Sequence, residues 1–359
     1  MDTQTKAPHV ANEFSIDELG LASRNHAMPL EALCYSCTPV GLHYLLIHYD
    51  IPQVDATTWR LTVNGAVAHE LTLSLDELRA LPSVTQQVTL ECAGNGRGLL
   101  SPHVVSQPWL GEAVGTAEWT GAPLSAVLAQ AGIDATAVEA LFTGLDRGID
   151  GGEEQDYARS LTLAEATRDE VLLAYAMDGA PLLPQHGFPV RLIVPGWYGM
   201  THVKWLSSVT LLTEPFQGYQ QSHAYRVRAT SEDAGTPVTR MKPRALMIPP
   251  GIPEYQTRIR HLRAGSCTLR GQAWSGWGAI TRVEVSDDAG QTWHDASLGD
   301  AASAYAWRPW SFAWDAASGA HELCCRATDS AGNVQPLQAA WNTGGYENNS
   351  VQRVRVVVA

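Results

Sequence analysis

The sequence predicts an α+β protein in two parts, a mixed α/β domain over residues 1–242 and an immunoglobulin-like β-sandwich over residues 243–359. Three observations carry the prediction. Capped helix starts are interspersed with strand-like runs through the first two thirds of the chain, without the strict alternation of a doubly wound sheet. A proline-rich seam, "MKPRALMIPPGIP" at Met241–Pro253, interrupts that pattern. Beyond it helix signals vanish, and turn clusters separate short runs of β-formers at the spacing of a sandwich of roughly 100 residues.

In chain order, Ser15 with Glu18, Ser74 with Glu77 and Thr162 with Glu165 are each a hydroxyl three residues before a glutamate. In that arrangement the two side chains satisfy free amides at a helix start. "PLSAVLAQAG" reads as a helix opened by Pro123 and closed by Gly132. "WRLTVNG", "QQVTLE", "VRLIV" and "VTLL" are strand candidates between the helices. After the seam come "ITRVEVS", "TWHDASL", "HELCCRATD" and "VQRVRVVV", divided by the turn clusters "DDAG" and "SAGN".

With 359 residues, 45% hydrophobic and 17% charged, the chain is globular and able to bury its cores without staples. A net charge of −13 argues against nucleic-acid or acidic-membrane partners, which need a basic face. A local arginine cluster still allows a small anion. There is no apolar run long enough to span a membrane. "MDTQTKAPHVANEF" lacks the basic start and apolar core of an export signal, so the expected location is cytoplasmic, or periplasmic for a trimmed form. Six cysteines, at 34, 37, 92, 267, 324 and 325, are too few and too irregular for a disulfide framework. The Cys34–Cys37 pair has neither a second pair nor histidines at zinc spacing, so ordinary buried thiols are expected there.

The segment "TLECAGNGRGLL", Thr89–Leu100, ends a strand-like run with a cysteine, glycines and an arginine. A phosphate-cradling loop fails on spacing: the third glycine of a dinucleotide fingerprint would fall on Leu99, and Pro102 and Pro108 oppose the helix that must follow. Two readings stay open at this point, Cys92 as a buried structural thiol and Cys92 as a thiolate ligand steadied by Arg97. In "HGFPVRLIVPGWYGMTHVKW", Arg191 interrupts an otherwise buried strand and Lys204 lies between Val203 and Trp205. Desolvating such cations costs several kcal/mol unless an anion lies beside them. Either an internal carboxylate such as Asp178 or a bound phosphate-bearing cofactor meets that demand.

Together "SRNH" (Ser23–His26), "ECAGNGR" (Glu91–Arg97), "GLD" (Gly144–Asp146), the block from His186 and the tail "WNTGGYENNSVQRVRV" resemble the sulfite oxidase family of molybdenum enzymes, from about residue 20 to the end. The resemblance implies a molybdopterin-binding domain followed by a sandwich that forms a homodimer. Cys92 would ligate molybdenum beside one molybdopterin. Asn25, His26, Asp146, His186, Arg191 and Lys204 would hold the cofactor and its phosphate. Arg24, Arg97, Tyr225 and Trp109 would form the substrate pocket. Two departures stand out: Gly96 occupies a position where the family often has an arginine, and no clear counterpart exists for the sandwich-domain arginine of animal members, Ser303 falling there with Arg308 displaced.

The implied activity is molybdenum-dependent oxidation of sulfite to sulfate by oxo transfer. No segment resembles a haem domain, so a separate electron acceptor is expected, such as a c-type cytochrome. The rivals are the same cofactor acting on sulfane sulfur held on a carrier, nitrate or a sulfoxide, and a non-catalytic scaffold. Asn348-Asn349-Ser350 matches a glycosylation acceptor and reads instead as a turn at a strand end.

Overall fold

The computed structural model describes residues 13–359. The stretch read for an export signal falls mostly on residues 1–12, outside them.

The first ten strands, in chain order, are β1 (Arg60–Gly65), β2 (Leu71–Ser74), β3 (Val84–Glu91), β4 (Val114–Pro123), β5 (Glu139–Asp150), β6 (Glu153–Thr162), β7 (Leu172–Met177), β8 (Ala180–Pro181), β9 (Arg191–Ile193) and β10 (Leu206–Leu212). They make two sheets, one ordered β2-β1-β10-β5-β6 and the other β3-β4-β7-β8, with β9 also on β7. In the first sheet only the β1–β10 pair is parallel. β1 buries Leu61 and Val63 and turns Arg60 out, the two-residue alternation of a strand with one covered face. Helix α1 (Ile16–Arg24) precedes β1, while α2 (Leu75–Ala80) follows β2 and α3 (Leu124–Ala131) follows β4. Residues 124, 127, 128 and 131 form the buried stripe of α3 and pack with Leu78, Phe142 and Val209.

The expected caps form at two of three sites. Ser15–Glu18 and Ser74–Glu77 are full reciprocal boxes. At the third, Thr162 accepts from the Glu165 amide at 3.4 Å, but the Glu165 carboxylate turns away to Arg168 and Arg240, each at 2.7 Å. Two charged donors outweigh one backbone amide. Pro123 stands at the cap of α3, and Gly132 closes it at φ +68°.

The later strands form two facing sheets. One contains Arg244–Met247, Gly265–Trp274, Arg308–Ala316 and Ser297–Leu298; the other contains Ile252–Pro253, Arg260–Leu262, Gln352–Val358, Gly319–Asp329, Ile280–Ser286 and His294–Asp295. The run "TWHDASL" is therefore not one strand: His294–Asp295 pairs in one sheet and Ser297–Leu298 in the other. Between the sheets lie Leu269, Val283, Trp310, Trp314, Leu323 and Val356. The fold is α+β with an immunoglobulin-like sandwich.

A buried polar knot ties β3 to the sandwich. Glu91 is 1% exposed, accepts from Asn95 Nδ2 at 2.9 Å and Trp274 Nε1 at 2.8 Å, and lies 3.0 Å from Arg244 Nε. Removing one partner of a buried ion pair strands the other, so Glu91→Ala is expected to lose about 3–5 kcal/mol of stability in urea unfolding. A loss below about 1 kcal/mol would show the pair to be dispensable.

Candidate active site

A cleft of about 640 Å³, counting its open mouth, lies where β3 ends, with Cys92, His48, Asp146, His186, Lys204 and Tyr225 in its wall. Cys92 leaves the strand with its amide on Ala113 O at 2.9 Å and its carbonyl taking the Asn95 amide at 3.0 Å. Burial pushes its thiol pKa up, while the Arg97 charge and the Gly94 amide pull it down. Without a cation the thiol keeps its proton; a metal ligated there would displace it.

The glycines of this loop make room for side chains. A Cβ on Gly94 would sit 2.7 Å from the Arg97 guanidinium carbon, and one on Gly96, at φ +85°, would sit 3.0 Å from Asn348 Nδ2. Arg97 is 5% exposed, donates from Nε to Gly344 O at 2.9 Å, and stacks 5.0 Å over the Tyr346 ring. Among the described residues it forms no salt bridge. Trp109 is buried beside Cys92 in one apolar cluster, and its Nε1 has no hydrogen-bond partner among the described residues.

Arg191 and Lys204 are also without a paired carboxylate among the described residues. Arg191 donates to His186 O at 3.0 Å and His202 O at 3.3 Å, lies 4.8 Å over the Trp119 ring, and has an unpartnered Nε. Burial lowers its pKa to about 10. Lys204 Nζ donates to Leu46 O at 2.8 Å, and burial followed by the Arg191 charge lowers it to about 7. Asp178 is not the counter-ion: its carboxylate accepts the Glu118 amide at 2.8 Å. His186 is buried against His43, ring centres 5.8 Å apart, and burial keeps it neutral.

Asp146 enters the cleft through a register shift of β5 between Thr143 and Arg147, over Gly144, where a Cβ would come within 2.5 Å of its Oδ1. That oxygen has no partner among the described residues, and burial raises the carboxyl from 3.8 to about 6 against the pull of Lys204. Between those values the folded chain holds the proton and the unfolded chain does not, so this group's contribution to stability falls as pH rises. Cofactor-free Asp146→Asn is expected to show a stability-versus-pH slope more positive by about 1 kcal/mol per pH unit in that window. Identical slopes would contradict the raised value.

Tyr225 follows a π-turn, Gln220–Ala224, and is buried with its hydroxyl 2.6 Å from His48 Nε2. Burial lowers the His48 pKa to about 3. Neither His48 nor Arg159, whose guanidinium lies over the Tyr225 ring, was singled out from the sequence. Arg159 carries the same signal as Arg191, an arginine in the inward register of a strand between buried Tyr157 and Leu161.

The motif at Ser23–His26 lies elsewhere than expected. Arg24 ends α1 with its side chain 45% exposed, donating to Tyr49 O at 2.6 Å and facing Asp50 at 3.6 Å. Asn25 accepts the Ile47 amide at 2.7 Å and donates to Gln107 and Leu21, while exposed His26 pairs by backbone with Leu45. Asn25 and His26 thereby brace the segment 43–48, which lines the cleft, while Arg24 ties the residues just beyond it. Ser303 donates to Gln87 O at 2.5 Å, and Arg308 to Gly299 O and Ile280 O. Asn348, just before the strand Gln352–Val358, is buried and donates to Gly96 O at 2.7 Å.

Comparison with known proteins fits this geometry. A family described as oxidoreductase molybdopterin binding domain matches residues 48–220, and one described as Mo-co oxidoreductase dimerisation domain matches residues 250–359. The chain is 39% identical over 339 residues to mitochondrial sulfite oxidase of Homo sapiens, covering 90% of this chain and 62% of that protein. It thus spans about three fifths of the length of that relative. With sulfite oxidase of Gallus gallus it shares 37% identity over 334 residues, 88% of this chain and 72% of the relative. The chain belongs to the sulfite oxidase family. Among solved structures, the sulfane dehydrogenase SoxCD from Paracoccus pantotrophus superposes with a TM-score of 0.80 at 25% identity, covering 98% of this chain and 86% of that one.

Members of the sulfite oxidase family carry the molybdenum cofactor, and the cleft fits it. Among the described residues, Asp146 Oδ1, Arg191 Nε and His43 Nε2 are buried without partners around one cavity that also holds a thiol. Such orphans are costly unless a bound group with its own charges, donors and acceptors completes them.

Proposed function

We propose that this protein oxidises sulfite to sulfate, with water supplying the oxygen and two protons and two electrons released, the electrons passing singly to a separate acceptor such as a c-type cytochrome. The observation that carries the reading is Arg97: a buried guanidinium with no carboxylate among the described residues, fixed between Gly344 and the Tyr346 ring, near the cleft that contains Cys92. When bound, the molybdenum cofactor supplies oxygen-atom transfer and two-electron redox chemistry.

The chain's own residues do the rest. Cys92 gives up its thiol proton to hold the metal. His186, Arg191, Lys204 and Asp146 hold the pterin and its phosphate, the two cations meeting the anion that their burial demands. Arg97 neutralises and orients an incoming oxyanion with a planar fork of donors. The Tyr225 hydroxyl donates to an anion oxygen, and Trp109 excludes water beside the sulfur. Asn25 and His26 act from outside by holding the wall at residues 43–48, and Arg24 holds Tyr49 just beyond it. The match to a dimerisation domain supports a homodimer.

A second reading, oxidation of sulfane sulfur held on a carrier protein, is favoured by the superposition on the sulfane dehydrogenase and by the lack of an arginine at Ser303. Metal analysis followed by dye reduction with sulfite, carrier-bound sulfane sulfur, nitrate and a sulfoxide separates the readings. Turnover is expected with sulfite. Turnover only with the carrier would replace this reading, and folded protein from a competent host that binds no molybdenum would remove it.

A further inference from the structure

We propose that Arg159 is a positioning residue of the oxyanion site, a buried cation behind Tyr225 that seats its ring and favours doubly over singly charged anions. The inference rests on reading the cleft as an oxyanion site and adds a second charge to that of Arg97.

Arg159 is 2% exposed, and among the described residues no carboxylate pairs with it. One terminal nitrogen donates to Gln220 O, Nε has no partner, and the guanidinium carbon lies 5.5 Å from the centre of the Tyr225 ring. It follows Tyr157 by two residues on β6, so both side chains leave the same face of the strand, and Tyr157 lines the cleft. Gln220 opens the π-turn that delivers Tyr225, so this one side chain grips both the start of the turn and the ring at its end. π-Turns concentrate at functional sites.

A carbonyl and an aromatic face recover only part of the several kcal/mol needed to desolvate a guanidinium. A methionine of similar length would fill the space without that cost. The position makes sense if the charge is used. Arg24 is spent at the surface on Tyr49 and Asp50, and Arg308 on sandwich carbonyls, so Arg159 supplies what neither brings to the cleft.

Coulomb energy scales with the charge on the anion. Loss of this cation is therefore expected to weaken a dianion by about tenfold and a monoanion at the same place by about threefold. The test uses the cofactor-loaded protein, with sulfate and nitrate affinities measured by calorimetry and sulfite KM and kcat by dye reduction. Arg159→Gln is expected to weaken sulfate about tenfold and nitrate about threefold and to raise KM about tenfold, with kcat within about twofold. Arg159→Lys should restore most of the sulfate affinity, and Arg159→Met serves if the glutamine variant does not fold.

Equal weakening of both anions, loss of kcat with KM unchanged, or failure of lysine to rescue would overturn the proposal. So would failure of both neutral variants to fold, which would mark a structural role. A wild-type protein that binds sulfate but does not oxidise sulfite would remove the substrate reading alone and leave the anion comparison to decide on Arg159.

Discussion

Cys92→Ser protein is expected to fold, to retain its pterin, and to lose sulfite-dependent dye reduction by about a thousandfold or more, some 4 kcal/mol of barrier. The substitution is nearly isosteric and the cysteine is held by backbone, its amide on Ala113 and its carbonyl taking Asn95, so the loop should not move. What changes is the donor. A hydroxyl at this site keeps its proton and is a poor ligand for a soft or high-valent metal, whereas a thiolate gives up electron density and lets the metal cycle. His186, Arg191 and Lys204 do not depend on the sulfur, so cofactor content should fall little. Pterin fluorescence after denaturation and elemental analysis read retention; dye reduction reads turnover. A serine variant turning over at the normal rate would end the assignment of Cys92 as the metal ligand.

The second large effect has opposite signs in two states of the protein. Arg191→Met is expected to lower cofactor affinity by about a hundredfold, near 2.7 kcal/mol, while leaving the cofactor-free protein as stable as before or more so. Among the described residues the guanidinium faces no carboxylate and its donors reach only two carbonyls and the Trp119 face, so the cofactor-free site holds a poorly compensated charge. Methionine removes that burden and packs against the same ring. Dialysis followed by metal analysis gives the first quantity and thermal unfolding of cofactor-free protein the second. Unchanged cofactor retention, or a cofactor-free variant weakened by several kcal/mol, would show that Arg191 serves the strand rather than the ligand.

Much of the site could be read from residue type and register. Arg191 and Lys204 announced themselves as cations in buried runs, and Cys92 with Arg97 as a thiol beside a charge; the fold brings Cys92, Arg191 and Lys204 to one cleft. Arg159 carried the same signal but lay in β6, a strand that was not recognised because its first half is solvent-facing and polar. His48 was hidden differently. A four-residue match drew attention to Ser23–His26, and only three-dimensional pairing shows that those residues support the wall from behind while the segment 43–48 faces the cavity. Strands with local periodicity, such as β1 and Ile280–Ser286, were legible. The switch of sheets within residues 294–298 was not, because it depends on partners distant in sequence.

The contact between Arg97 Nε and Gly344 O spans 247 positions along the chain. During synthesis the ribosome must therefore deliver residue 344 before the Arg97 side chain can be locked in its final direction. A translation product released early could make its first sheets and still present a swinging, unaimed cation. The aim of Arg97 is thus fixed only once the segment carrying Gly344 and Tyr346 has docked against it.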